Sequence, residues 1–237
     1  MADLLKVTAL NAFYGGSHVI HDAAISVGAG ESVALLGRNG AGKSTLLKSI
    51  VNAEPEVRGD VWFEGHQLGQ MALERRSRLG MMLVPEDRRI YPQITVEENI
   101  ALGAYSCAAG RSPLTLSDIW RMFPLLEPLR QRMGAQLSGG QQQLVAVARG
   151  VFGRPKLLLL DEPVEGLAPL VIEEMGDHIA KLGELGDLSI VVAEQNLSFA
   201  RKCTSRIYLI DSGQIVFEGT WEEFDAQSSI RDKHLSV

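Results

Sequence analysis

Gly37-Arg38-Asn39-Gly40-Ala41-Gly42-Lys43-Ser44-Thr45 sets the fold of this chain. It fits G-x-x-x-x-G-K-[ST], the phosphate-binding loop. Before it, Glu31-Ser32-Val33-Ala34-Leu35-Leu36 is a short apolar run, expected to be a buried strand. After it, Ser44 to Val51 carries apolar residues at helical spacing. Strand, glycine loop and helix are the context such a loop requires. Glycines let backbone N–H groups turn inward around a phosphate, and the helix N-terminus adds its dipole. Lys43 is placed to reach the β- and γ-phosphates, and Ser44 offers a hydroxyl to Mg²⁺.

The 237 residues suit one large domain or one domain with a small insertion. The hydrophobic share of 46% is ordinary for a soluble globular protein. Against 29 acidic residues stand 23 Lys and Arg, a net charge of −6. That balance speaks against nucleic acid as the main partner, because phosphate backbones need a basic face. It also speaks against simple adhesion to anionic lipid. Cys107 and Cys203 are far apart and have no metal-binding spacing, which fits a reducing compartment. No apolar run approaches the ~18 residues of a membrane span. Met1 to Lys6 shows no basic region followed by an apolar core, so no signal peptide is expected.

Leu4 to Leu10 and Ile25 to Val27 read as short strands, interrupted at Tyr14-Gly15-Gly16. Tyr14 is either a strand-end core aromatic or a ring on which a base can stack. Gly59 to Gly65 reads as a strand closing on a turn, Met71 to Arg78 as a short charged helix, and Met81 to Pro85 as a buried strand ended by its proline. Residues 87–152 differ in character. Thr95-Val96-Glu97-Glu98 opens a helix to about Ala104 with a capping box. Leu116 to Gln131 is helical in period, with Pro124 and Pro128 set to break it. Ser138 can cap a third helix, Gln141 to Val151. This block is an inserted helical subdomain. Leu157-Leu158-Leu159-Leu160 then predicts a strand buried on both faces, as in a parallel sheet. Pro169 to Leu185 is an amphipathic helix and Leu188 to Ala193 another strand. Ile207 to Phe217 is a hairpin with a Ser-Gly turn, and Thr220-Trp221-Glu222-Glu223 a second capping box. The tail from about residue 226 is polar and expected to fray.

Two carboxylates follow the leucine strand. In P-loop ATPases the acidic residue at such a strand end holds Mg²⁺, a role that falls to Asp161. Glu162, next along, can face the γ-phosphate and orient or deprotonate the attacking water. The strand end is where open α/β sheets bind ligands. Leu137-Ser138-Gly139-Gly140-Gln141 supplies flexible glycines at a helix start, a second anion site.

In this order, the motifs resemble the ATP-binding subunit of an ABC transporter over nearly the whole length. The resemblance implies an α/β fold: a RecA-like P-loop core, an N-terminal antiparallel β subdomain and the helical insertion, together one ATP-binding domain over 1–237. It implies that Leu137 to Gln141 acts on ATP held by the opposite subunit, and that Tyr14 stacks on adenine. Leu83 to Pro92, Thr95 to Asn99, Glu162 to Pro169 and Val192 to Asn196 look like one subgroup. It comprises importers of branched-chain amino acids, with relatives importing urea or amides, and this chain is similar to the shorter of their two ATPase subunits. The implied partners are a second, non-identical ATPase subunit, integral-membrane permease subunits and, indirectly, a solute-binding protein. The implied location is peripheral, on the cytoplasmic face of the membrane.

Three positions depart from the general ABC pattern. Glu86 stands where a glutamine usually coordinates Mg²⁺ and senses the γ-phosphate. Gln195 stands at the usual switch histidine, where it can donate a hydrogen bond but cannot become a cation. Ala168 replaces the aspartate that crosses the dimer interface. Gln195 and Ala168 motivate a second reading, a nucleotide-gated switch with weak hydrolysis. DNA-repair and translation ATPases are disfavoured, because they carry coiled-coil inserts or paired ATPase units in one chain.

Overall fold

The computed structural model describes residues 3–184, 186–227, 230, 233 and 234. Two sheets share a core. The first is antiparallel, in order β2-β1-β4-β5, from β1 (Asp3–Tyr14), β2 (Ser17–Gly28), β4 (Glu56–Phe63) and β5 (His66–Gln67). The second has six strands in order β10-β9-β3-β8-β7-β6. Its members are β3 (Ser32–Leu36), β6 (Met81–Val84), β7 (Leu157–Asp161), β8 (Ser189–Glu194), β9 (Arg206–Asp211) and β10 (Gln214–Thr220). All its pairings are parallel except β9 with β10, the Ser212-Gly213 hairpin. The four-leucine strand behaves as its composition demands. Every residue of β7 is buried, and it lies between β6 and β8. Each leucine removed from water there contributes about 2 kcal/mol.

The first hairpin is longer than its apolar runs suggest. β1 and β2 each extend over 12 residues. Register shifts along their ladder, with Ala9 and Asp22 at positive φ, break the alternation that would have marked continuous strands. Its buried side chains pack on α1 (Lys43–Ile50) and on the underside of the six-stranded sheet.

Between β6 and β7 the chain is helical. Thr95 closes its capping box on Glu98, but α3 (Val96–Ala101) is shorter than expected. It tightens into a 3-10 turn over Leu102–Ser106, where Gly103 weakens α-helix propagation. The proline-rich stretch divides into α4 (Leu116–Met122) and a 3-10 turn, Pro124–Leu129. α5 (Gly139–Phe152) begins two residues before its expected start, because Ser138 and Gln141 form the capping box and make Gly139 the first helical residue. α2 (Leu73–Leu79) precedes β6. After β7 come α6 (Pro169–Gly183), α7 (Leu197–Cys203) and α8 (Trp221–Ala226). The expected helix end at Leu185 and most of the tail lie outside the described residues. A second apolar cluster joins α3, α4 and α5 to β7, β8 and α6, so the helical block is seated on the sheet. No helix among the described residues is long and apolar enough to cross a membrane.

One buried charge fixes the far end of α1. Arg76 is 2% exposed and donates to the carbonyls of Ile50 (2.7 Å), Gly69 (2.5 Å) and Met71 (3.0 Å). Burial pushes its pKa down to about 10, so it remains cationic at neutral pH. Arg76→Met leaves the carbonyls of Ile50 and Gly69 without a donor, while Met71 keeps the Asn52 amide, and should cost about 3 kcal/mol, read as a lowered midpoint in urea unfolding. A midpoint unchanged in that variant would show that water replaces the guanidinium at no cost.

Candidate nucleotide site

The strand ends that the sequence singled out converge. Gly37 leaves β3, Asp161 ends β7 and Glu194 ends β8, and β8 lies between the other two strands. All three belong to the carboxyl edge of the parallel sheet, where ligands bind in such folds. The loop at Gly37 is pinned at both sides. Its N–H donates to the carbonyl of Glu194 (3.2 Å), and a Cβ there would lie 2.6 Å from the carbonyl oxygen of Ile210. Gly42, at φ 108, has a backbone that side-chain-bearing residues rarely adopt, and no side chain caps α1.

The backbone N–H groups of Asn39, Gly40, Gly42, Lys43, Ser44 and Thr45 have no acceptor among the described residues. Arg38, Asn39 and Gly40 are exposed. An open cradle of N–H donors at a helix N-terminus suits polyphosphate. The Lys43 ammonium is buried and donates to the carbonyls of Gly37 (2.8 Å) and Arg38 (3.0 Å), and it pairs with Glu162 at 3.0 Å. The Ser44 hydroxyl donates to Asp161 at 2.8 Å. Thus Lys43, Ser44, Asp161 and Glu162, chosen from two distant stretches, meet in one place.

Negative charge accumulates there. Burial lifts the Asp161 carboxyl to about 6, and the charges of Glu162 and Glu86 add to the rise against the Ser44 hydrogen bond. Glu165, hydrogen-bonded to Glu162 and also facing Glu86, is pushed up to about 7. Glu162 itself has a left-handed backbone, φ 46, uncommon for a residue with a side chain. No group of three or more His, Cys, Asp or Glu side chains among the described residues converges as a metal cage. The donor set fits Mg²⁺ in another way: one hydroxyl and one or two carboxylates, with phosphate oxygens and water completing the octahedron.

Among the described residues no other candidate side chain hydrogen-bonds to residues 37–45. Tyr14 is exposed at the hairpin turn. The side chain of Gln195 is exposed beyond β8. Leu137 is buried, and Ser138 accepts from the N–H of Gln141 (3.3 Å) while Gln141 accepts from that of Ser138 (3.0 Å). Among the described residues no hydrogen bond or ion pair joins 137–141 to 37–45. Arg88 turns inward: its Nε donates to Gln143 of α5 (3.2 Å) and its guanidinium lies beside Gly139. Two carboxylates were given no role of their own in the sequence, Glu165 and Glu194. The signal for Glu194 was available, because it ends an apolar strand as Asp161 does.

The sequence model of a family described as ABC transporter matches residues 20–165, more than half of the chain. The chain belongs to the ABC transporter family. It is 34% identical to the high-affinity branched-chain amino acid transport ATP-binding protein BraG of Pseudomonas aeruginosa, over 98% of this chain and 99% of that one. It is 32% identical to the probable branched-chain amino acid transport ATP-binding protein LivF of Archaeoglobus fulgidus, over 93% of each chain. In fold it resembles the ADP conformation of MJ1267, an ATP-binding cassette of an ABC transporter, with a TM-score of 0.81 at 24% identity and coverage of 98% of this chain and 97% of that one. This ABC protein is therefore an ATPase with a RecA-like P-loop core, the ATP-binding subunit of a transporter.

Proposed function

We propose that this ATPase powers an importer of branched-chain amino acids. Similarity over both full lengths to a subunit of that transport class carries the reading. The chain would pair with a second, non-identical ATPase subunit, dock on membrane permease subunits at the cytoplasmic face, and respond through them to a solute-binding protein. Coexpression with those partners in vesicles tests it. ATP turnover should rise several-fold when the binding protein carries leucine, isoleucine or valine. Stimulation by urea or an amide instead would overturn the substrate class.

Within the site, Lys43 and the cradle N–H groups hold the β- and γ-phosphates, and Tyr14 stacks on adenine. Mg²⁺, when bound, neutralises phosphate charge and is held by Ser44, Asp161 and Glu86. Glu162 orients the attacking water and takes its proton, and Gln195 donates to the γ-phosphate. Leu137 to Gln141 serves the ATP held by the other subunit. If so, Ser138→Arg should obstruct the partner's site while Lys43→Ala empties this chain's own. Photoreactive ATP labelling of each site in the heterodimer separates the two, and both variants emptying one site would place the signature in its own chain's service.

We assign the permease contact to the loop Glu86 to Tyr91 and the groove beside it, lined by Leu73, Leu83, Pro85, Arg89 and Tyr105. Tyr105 is 85% exposed and Tyr91 55%, large apolar area that a partner would cover. Asn99, fully buried, fixes the loop through the N–H and carbonyl of Tyr91. Arg89→Glu should abolish permease stimulation of turnover and leave basal hydrolysis intact. Undiminished stimulation would move the contact elsewhere.

A further inference from the structure

Three loops meet at the carboxyl edge of the sheet, and one residue that the proposed chemistry does not use holds all three, two through its side chain and the phosphate loop through its main-chain carbonyl. Glu194 is 2% exposed at the end of β8. One carboxylate oxygen accepts the N–H of Val164 (3.3 Å), in the turn after Glu162. The other accepts the N–H groups of Gln195 (3.1 Å) and Asn196 (3.2 Å). Its backbone carbonyl receives the N–H of Gly37 (3.2 Å), and the preceding carbonyl, of Ala193, receives that of Glu162 (3.0 Å). Among the described residues no lysine, arginine or histidine forms an ion pair with it. A buried carboxylate without a cation is a poor device for stability alone, since desolvation is expensive and an apolar side chain of like volume would serve.

We propose that Glu194 is a positioning residue for ATP hydrolysis, its two carboxylate oxygens tying the turn that carries Glu162 to the backbone of Gln195 and Asn196, while its own main-chain carbonyl holds the first residue of the phosphate loop. The inference rests on the reading of Glu162 and Gln195 given above. Only a side chain with acceptors on both branches can serve both loops. Glutamine keeps the volume but turns one branch into a donor, which then faces an N–H group. A displacement of the catalytic turn by even ~1 Å can cost on the order of 100-fold in rate.

Glu194→Gln should therefore lower kcat by about 10-fold or more in the assembled complex, with KM for ATP changed by less than about 3-fold, because Lys43 and the cradle N–H groups are untouched. Glu194→Ala, which removes both arms, should lower kcat further. ATP affinity and the thermal midpoint of the isolated chain are measured alongside. In a Glu162→Gln background, Glu194→Gln should add less than about 2-fold, since residues acting as one unit are not additive. Wild-type kcat in Glu194→Gln overturns the inference. So does a loss of kcat matched by an equal loss of ATP affinity and a collapse of the thermal midpoint, which would make Glu194 plain scaffolding. So too does a full multiplicative loss in the double variant. Wild-type turnover in Glu162→Gln alone would instead sink the reading of Glu162, and the kcat-against-KM split of Glu194→Gln would still decide the present inference.

Discussion

Lys43→Ala lowers ATP affinity by about 100-fold, the expected result of removing a charge-assisted contact to the β/γ-phosphates. A second effect accompanies it. Lys43 and Glu162 are both buried and 3.0 Å apart. Without the ammonium, the Glu162 carboxylate stays in a dry site beside Asp161 and Glu165, which already repel it. Removing one partner of such a pair costs about 3 kcal/mol, a drop of about 6–12 °C in Tm for a chain of this size. Two measurements therefore check one substitution: nucleotide titration and thermal unfolding. Unchanged ATP affinity would refute the phosphate-loop assignment. An unchanged Tm with lost affinity would show that Glu162 finds solvent when its partner goes.

Glu162→Gln separates binding from turnover. The amide retains the shape and an oxygen acceptor for Lys43, while the negative charge disappears from a crowded acidic corner. Binding of ATP should persist or tighten. Turnover should fall by about 100- to 1,000-fold, since glutamine orients water but cannot take its proton. ATP should then hold two subunits together, visible as a stable dimer in size-exclusion chromatography. The same substitution acts on Glu165, whose carboxyl is raised first by its hydrogen bond with Glu162. A Glu162→Gln chain hydrolysing at the normal rate would hand the water to another group.

What could be read from the residues, and what could not, follows from the range of the forces involved. The phosphate loop was legible because its glycines and lysine act within nine residues. Strand β7 was legible because four leucines in a row admit few other settings. Ser138 and Gln141 announce α5 through a contact three residues long, and the expected helix started two residues late and ended one residue early. The first hairpin was half-hidden, because bulges at Ala9 and Asp22 scramble its alternation. Arg88 reaches Gln143, a contact across 55 positions that no local pattern records. Glu194 carried a local mark, the end of an apolar strand, but its bond to Val164, 30 residues away, left none.

The strand order also dictates when the site can exist during synthesis. β3 pairs with β8 on one side and β9 on the other, and both come from the last fifty residues of the chain. A ribosome adding about 5–20 residues per second leaves β3 without either neighbour for roughly 8–30 s, the time to make the next 150 residues or so. Throughout that interval the apolar strand preceding the phosphate loop has both edges open to pairing with other chains. The nascent subunit is thus a natural client for chaperones, and truncation before β8 should yield aggregate in place of a weaker ATPase.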